Sequence, residues 1–278
     1  MKEKELLHFE SIINKRASEW IVFIHGAGGS IKTWIYQIND LQKEYNLLLL
    51  DLRDHGMSKN IIPAQEDYSF SLISADIKKV LDHVGIVKAH FITLSMGSIV
   101  LQDFIAHYPK MVEKAIMAGG IFKANFTIKL FVHTAKLVNH ILPYKAMYSA
   151  FSYLLMPRKR NQKARRLYQM QARKLDSKDY LKWVGLYKLF FDLLNSSYNN
   201  QLKNEVLIIM GNQDYIFKQS AHQYVNNQQN AQFVSIENAG HICNIEEPDI
   251  FNYLVLNFLK KKTTAIRKPR TKGLSYTN

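Results

Sequence analysis

The sequence predicts an α/β protein in which a mostly parallel open sheet carries helices on both faces. Three observations lead there. Six short apolar runs recur along the 278 residues, helix-like amphipathic stretches separate them, and the runs are continuously apolar rather than alternating. Strands with that pattern suit a sheet covered on both faces, and the alternation of strand and helix is that of a layered α/β fold.

Taken in order, Leu6–Ile13 reads as a leading antiparallel strand or short hairpin. The strand-sized apolar runs are Trp20–Ile24, Leu47–Leu50, His90–Leu94, Lys114–Met117, Val206–Met210 and Phe233–Ile236. Between and after them, Thr33–Glu44, Ser71–Val84, Met96–His107, Gln219–Asn227 and Pro248–Lys260 have helical spacing. Residues 121–200 break the rhythm, because no strand run interrupts them. Their apolar residues recur at helical intervals (Ile128, Phe131, Ala135, Val138, then Leu186, Leu189, Phe190, Leu193). The expected organisation is a core of residues 1–120 and 201–260, a helical insertion at 121–200, and a basic, disordered tail at 261–278.

Charge follows the same division. The net +14 is concentrated in 121–200, where 15 Lys/Arg face 3 Asp/Glu, and in 260–278, where 7 face none. The rest of the chain is mildly acidic. Nucleic acid is not an expected partner, since no zinc-finger spacing, RNA-binding aromatic signature or basic zipper accompanies the charge. The pattern admits peripheral contact with an anionic membrane through the basic insertion and tail, and equally a solvated cationic face. Met1–Glu5 mixes charges and leads into no apolar stretch of signal length, and no run approaches the roughly 20 apolar residues of a membrane span. A cytoplasmic protein is the expectation. One cysteine excludes a disulfide framework and a cysteine-rich zinc module. The histidines are scattered at no metal-ligand spacing, so neither a metal nor a cofactor is expected.

In open α/β sheets ligands bind beyond the carboxyl ends of the strands, so the turns there carry the functional signal. After Trp20–Ile24 comes His25-Gly-Ala-Gly-Gly29, a loop whose glycines let the backbone approach a ligand and aim an N–H at a developing oxyanion. A phosphate loop would need a Gly-Lys-Ser/Thr ending, which is missing. After His90–Leu94 comes Thr93-Leu-Ser95-Met-Gly97, a small–x–Ser–x–Gly turn that would lift the serine hydroxyl above the sheet. Gly211-Asn-Gln-Asp214 places a carboxylate after the next-to-last run, and Asn238-Ala-Gly-His241 an imidazole after the last. A serine hydroxyl becomes a nucleophile when an imidazole takes its proton and a carboxylate holds that imidazole in the right tautomer. The turn after Lys114–Met117, Ala118–Lys123, offers no substitute acid. Cys243 reads as a small buried hydrophobe.

These blocks, with Asp51-Leu-Arg-Asp-His55-Gly-Met-Ser58 and the sequence Glu247-Pro248 after the histidine, resemble the α/β-hydrolase superfamily from about Trp20 to Leu259. The resemblance implies an α/β-hydrolase fold with an eight-stranded-type sheet and a helical cap formed by 121–200. It implies Ser95 as nucleophile, His241 as base and Asp214 as acid, with the N–H groups of Ala27 and Met96 as the oxyanion hole. Two positions depart from the family pattern: Thr93 stands where the elbow usually has glycine, and Asp54 where the fourth-strand signature commonly has one. The expected function is a serine hydrolase of esterase or lipase type, cleaving a carboxylic ester with an apolar acyl or alkyl group through an acyl-enzyme. Met and aromatic residues of the cap, among them Phe126, Phe131, Tyr148, Phe151, Tyr153 and Met156, are candidates to line an acyl pocket. Cleavage of an activated C–C bond with the same triad, and a non-catalytic ligand-binding role, are the alternatives.

Overall fold

The structure, a computed structural model, describes residues 5–62, 68–123, 129, 134, 144–175 and 177–261. The insertion residues Phe126, Ile128, Phe131, Ala135 and Val138, and the tail from 262 onward, lie outside the described residues. Among the described residues there are seven strands, β1 (Phe9–Ile12), β2 (Trp20–Ile24), β3 (Asn46–Leu50), β4 (Ala89–Leu94), β5 (Val112–Ala118), β6 (Glu205–Gly211) and β7 (Ala231–Ile236). They form one sheet in the order β1-β3-β2-β4-β5-β6-β7. β1 runs antiparallel to β3 and every other pair is parallel.

The apolar runs become strands because helices cover both faces. Ile21, Phe23, Leu48, Ile92, Ile116 and Ile208 are all fully buried. β7 pairs only with β6 and lies at the edge, so its residues are mostly half-buried. The helices before the insertion are α1 (Ile35–Leu41), α2 (Phe70–Val84) and α3 (Met96–His107). The insertion between β5 and β6 contributes α4 (Tyr144–Leu155), α5 (Gln162–Ala172), α6 (Ser177–Gly185) and α7 (Tyr187–Asn199). Beyond β6 come α8 (Lys218–Asn227), the short α9 (Cys243–Glu246) and α10 (Pro248–Lys260). α1 packs with α10 and α2 with α3.

Local chemistry explains the boundaries. Ser69 caps α2 by accepting the Leu72 N–H at 3.0 Å, Phe70, Ile73, Ile77, Val80 and Leu81 form its buried stripe, and Gly85 ends it in the left-handed region at φ 80°. The predicted helix from Thr33 instead opens as a 3₁₀ turn, Ile31–Trp34, and becomes α-helical only at Ile35. Ser30 caps that turn, and the tighter winding sinks the fully buried Trp34 indole against Phe23, with ring centroids 5.2 Å apart. A buried amide network then ties this region to the C-terminal helices. Gln37 Nε2 donates to Asn244 O at 2.8 Å, Asn244 Nδ2 to Thr33 O at 3.0 Å, and Asn252 Nδ2 to Tyr36 O at 2.9 Å.

The strand order sets the site. After β3 the chain crosses β2 to form β4 on its other side, so the turns following β2 and β4 adjoin at the switch point, where Ile24 and Thr93 are register partners.

Candidate active site

Ser95 occupies the turn between β4 and α3 at φ 51°, ψ −120°, a conformation that non-glycine residues rarely adopt. The surroundings hold it there. Its N–H donates to Ala118 O at 2.9 Å, and its carbonyl accepts from the Ser98 N–H at 2.8 Å and the Ser98 hydroxyl at 2.7 Å. Gly97 is required because α3 presses on the end of β2: a Cβ there would stand 2.5 Å from Ile24 O and 2.8 Å from His25 O. Thr93 needs no such concession. It lies fully buried as an ordinary strand residue, its hydroxyl 3.4 Å from Ile116 O.

The loop after β2 closes on itself through a Gly29 N–H to Gly26 O bond of 3.0 Å, with Gly28 at φ +68° in the position of such a turn that favours glycine. Two buried histidines fasten it. His25 Nε2 accepts the Leu52 N–H at 3.0 Å and its Nδ1–H donates to Gly26 O at 2.8 Å. His55 Nε2 accepts the Gly28 N–H at 3.0 Å and its Nδ1–H donates to Arg53 O at 2.9 Å. Each Nε2 faces a donor, so both rings are neutral Nδ1–H tautomers. Burial pushes the His25 imidazole down to about 4 and that of His55 to about 3. Arg53 pairs bidentately with Asp76 at 2.7 Å inside the core. Asp54 stands at φ 65° and accepts from the Tyr68 hydroxyl behind this loop; burial raises its carboxyl.

The three residues expected to cooperate meet. His241 Nε2 lies 2.8 Å from Ser95 Oγ, and His241 Nδ1 lies 2.7 Å from Asp214 Oδ2. Asp214 is fully buried, and its other oxygen accepts the Phe217 N–H at 3.0 Å, so the carboxylate is clamped from both sides. The Phe217 ring packs 5.1 Å from the imidazole. Gly119 lets the His241 backbone approach closely, since a Cβ on it would meet the His241 carbonyl at 2.6 Å. Met96, the first residue of α3, has an N–H that the helix cannot use, and the Ala27 N–H has no partner among the described residues. Cys243 is buried with its thiol pushed up by that burial, consistent with a packing role.

Ser95 and His241 open onto a cleft of about 490 Å³, its open mouth included, roofed by the insertion. Of the Met and aromatic residues singled out from the sequence, Phe151 lines it; Met156 is buried and Tyr153 is exposed. Sequence reasoning missed Leu155, Tyr168 and Gln171 from α4 and α5, and Ile242 and Ile245 beyond the histidine. The only available signal was the i, i+3 spacing of Tyr168 and Gln171, which puts both on one face of α5. Among the described residues no group of His, Cys, Asp or Glu is placed to hold a metal ion, and no helix is long and apolar enough to cross a membrane.

Residues 19–248 match the family model described as alpha/beta hydrolase fold, and the chain belongs to that family. Among curated relatives it is 24% identical to epoxide hydrolase 4 of Mus musculus, across 90% of this chain and 75% of that one. It is also 24% identical to a putative carbamate hydrolase, RutD, of Escherichia coli O7:K1, across 86% and 90%. Of solved structures, the enol-lactonase from Burkholderia xenovorans LB400 superposes with a TM-score of 0.76 at 21% identity, across 92% of this chain and 96% of that one. At that identity the likeness speaks for the fold alone.

Proposed function

We propose that the protein is a serine hydrolase that cleaves a carboxylic ester with an apolar acyl or alkyl group. The observation that carries this reading is the unbroken hydrogen-bond chain Ser95–His241–Asp214, with spacings of 2.8 and 2.7 Å. In the proposed cycle His241 Nε2 removes the proton from Ser95 Oγ as the oxygen attacks the substrate carbonyl. Asp214 keeps the Nδ1 proton in place and balances the imidazolium. The N–H groups of Ala27 and Met96 receive the tetrahedral oxyanion, an interaction for which each such donor contributes about 10²–10³ in turnover. His241 then protonates the departing alkoxide, and the acyl-enzyme is hydrolysed by a water that passes its proton to the same nitrogen.

A serine nucleophile favours carbonyl substrates on chemical grounds. Opening an epoxide with Ser95 would leave an ether on the protein, and an ether offers water no carbonyl to attack. Carbamates fit the same scheme, but the nitrogen on their carbonyl makes it less electrophilic and the carbamoyl-enzyme slower to hydrolyse than an acyl-enzyme. The apolar lining by Phe151, Leu155, Ile242 and Ile245 supports a hydrocarbon portion of the substrate beside the nucleophile. The insertion, 121–200, acts in this reading as the cap that completes the pocket.

The test is fluorophosphonate labelling together with an ester panel of graded chain length, run on wild type and Ser95→Ala. Labelling at Ser95 and loss of turnover in the variant are expected. Folded wild-type protein that leaves Ser95 unlabelled, or a variant that turns over esters as fast, would overturn the proposal.

A further inference from the structure

Gln171, on α5, is the amide side chain among the described insertion residues that line the cleft, and it is only half used. The Ser30 hydroxyl donates to Gln171 Oε1 at 3.1 Å and the Thr33 hydroxyl donates to the same oxygen at 3.3 Å. An amide oxygen can only accept, so both hydroxyl protons go to it, while Ser30 Oγ in turn accepts the Lys32 N–H at 3.3 Å and Thr33 Oγ1 the Ser30 N–H at 3.4 Å. Both lone pairs of Oε1 are therefore taken, and the Nε2 group, with two N–H donors, has no partner among the described residues. The half-buried amide also stands between two spaces. One is the catalytic cleft; the other is an adjoining open hollow of about 730 Å³, its mouth to solvent included, bordered by His8, Lys32, Met57 and Lys174, which shares Gly28, Gly29 and Gln171 with it. A ligand in the cleft that reaches Gln171 meets an amide whose orientation the Ser30 and Thr33 hydroxyls fix.

We propose that Gln171 selects the substrate of the hydrolytic site, an inference that rests on the function proposed above. Its Nε2–H groups donate to a second oxygen of the ligand. The preferred ester thus carries a carbonyl, ether or hydroxyl oxygen beyond the scissile group, rather than plain hydrocarbon on both sides. A partly buried donor left without an acceptor is what discriminates, because a substrate lacking the oxygen strips water from the amide and returns nothing.

Matched ester pairs test this: p-nitrophenyl 5-oxohexanoate against p-nitrophenyl hexanoate for the acyl side, and 2-methoxyethyl butanoate against n-butyl butanoate for the alcohol side. The decisive variant is Gln171→Glu. It keeps an acceptor for Ser30 and Thr33, and so keeps α5 joined to the loop, but it removes the donor. Wild type should prefer the oxygen-bearing member of at least one pair, and in Gln171→Glu that ratio of kcat/KM should fall about tenfold, mostly through KM. Gln171→Met should lose the same ratio. Ratios in Gln171→Glu equal to wild type in both pairs overturn the inference, and a general loss confined to Gln171→Met then marks the side chain as a structural tie. Turnover that persists in Ser95→Ala would instead bring down the underlying proposal and this one with it, whereas Ser95-dependent turnover with unmoved ratios removes only the role of Gln171.

Discussion

The neutral pair His25 and His55 should make the protein acid-labile in a window set by their own titration. In the unfolded chain each imidazole protonates near 6.5, whereas burial in the folded protein pushes them down to about 4 and about 3. Between those limits the unfolded state binds more protons, so stability rises with pH and is lost as pH falls through 6.5. At about 1.4 kcal/mol per pH unit and per group once the unfolded imidazole is charged, going from pH 7 to pH 5 costs roughly 2 kcal/mol for each ring and about 4 kcal/mol for the pair. Asp54 and Glu246, whose carboxyls burial raises, act in the opposite direction, so the informative quantity is the difference between proteins. Urea unfolding at pH 7, 6 and 5 on wild type and His55→Gln should show the variant losing about 2 kcal/mol less than wild type over the same interval. NMR of the imidazole nitrogens in the wild type provides a check that needs no variant. Rings that stay neutral Nδ1–H tautomers down to pH 5 agree with the hydrogen bonds described. Native titration of either ring near 6.5 would refute the reasoning.

Other outcomes follow from the same geometry. Asp214→Asn should fold normally yet lower ester kcat by about 10⁴, because the imidazole loses the carboxylate that fixes its tautomer; steady-state kinetics and a thermal melt read both. Gly97→Ala must move the carbonyls of Ile24 and His25, at a cost of about 1–3 kcal/mol in denaturant unfolding, and the displaced β2 end should lower turnover as well. Asp76→Ala removes the bidentate carboxylate from the buried Arg53 guanidinium, and loss of a buried partner of that kind costs about 3–5 kcal/mol, visible as a lower unfolding midpoint.

The readable parts of this molecule were those where one short segment carries its own signal. Continuous apolar runs marked the central strands because both faces of the sheet are covered. Ser95, Asp214 and His241 could be chosen because each follows such a run, and sheet topology brings carboxyl ends of neighbouring strands together whatever the separation along the chain. Other features depend on pairings that no local pattern encodes. The 3₁₀ start at Ile31 reflects the seating of Trp34 on Phe23, and the Gln37–Asn244–Asn252 network joins residues more than 200 positions apart. Gln171 and Tyr168 belong to a helix dominated by cationic and amide side chains, whose inward face becomes apparent only once α5 lies over the glycine loop. The glycine loop itself was legible, but the Nε2 contacts that hold it from His25 and His55 were visible only in three dimensions.

Because the chain leaves the sheet after β5 and rejoins it at β6, its immediate neighbour, the excursion over residues 121–200 hangs from a single seam. Among its described residues there is no strand, and Ser95, Asp214 and His241 all lie outside it. Rewriting the part that roofs the cleft would therefore leave the reactive trio in register, whereas α7, which packs on α3 and buries Leu194, belongs to the scaffold. An engineer could graft a foreign roof at this seam, and natural variation could retune which molecules enter, without reopening the question of how the bond is broken.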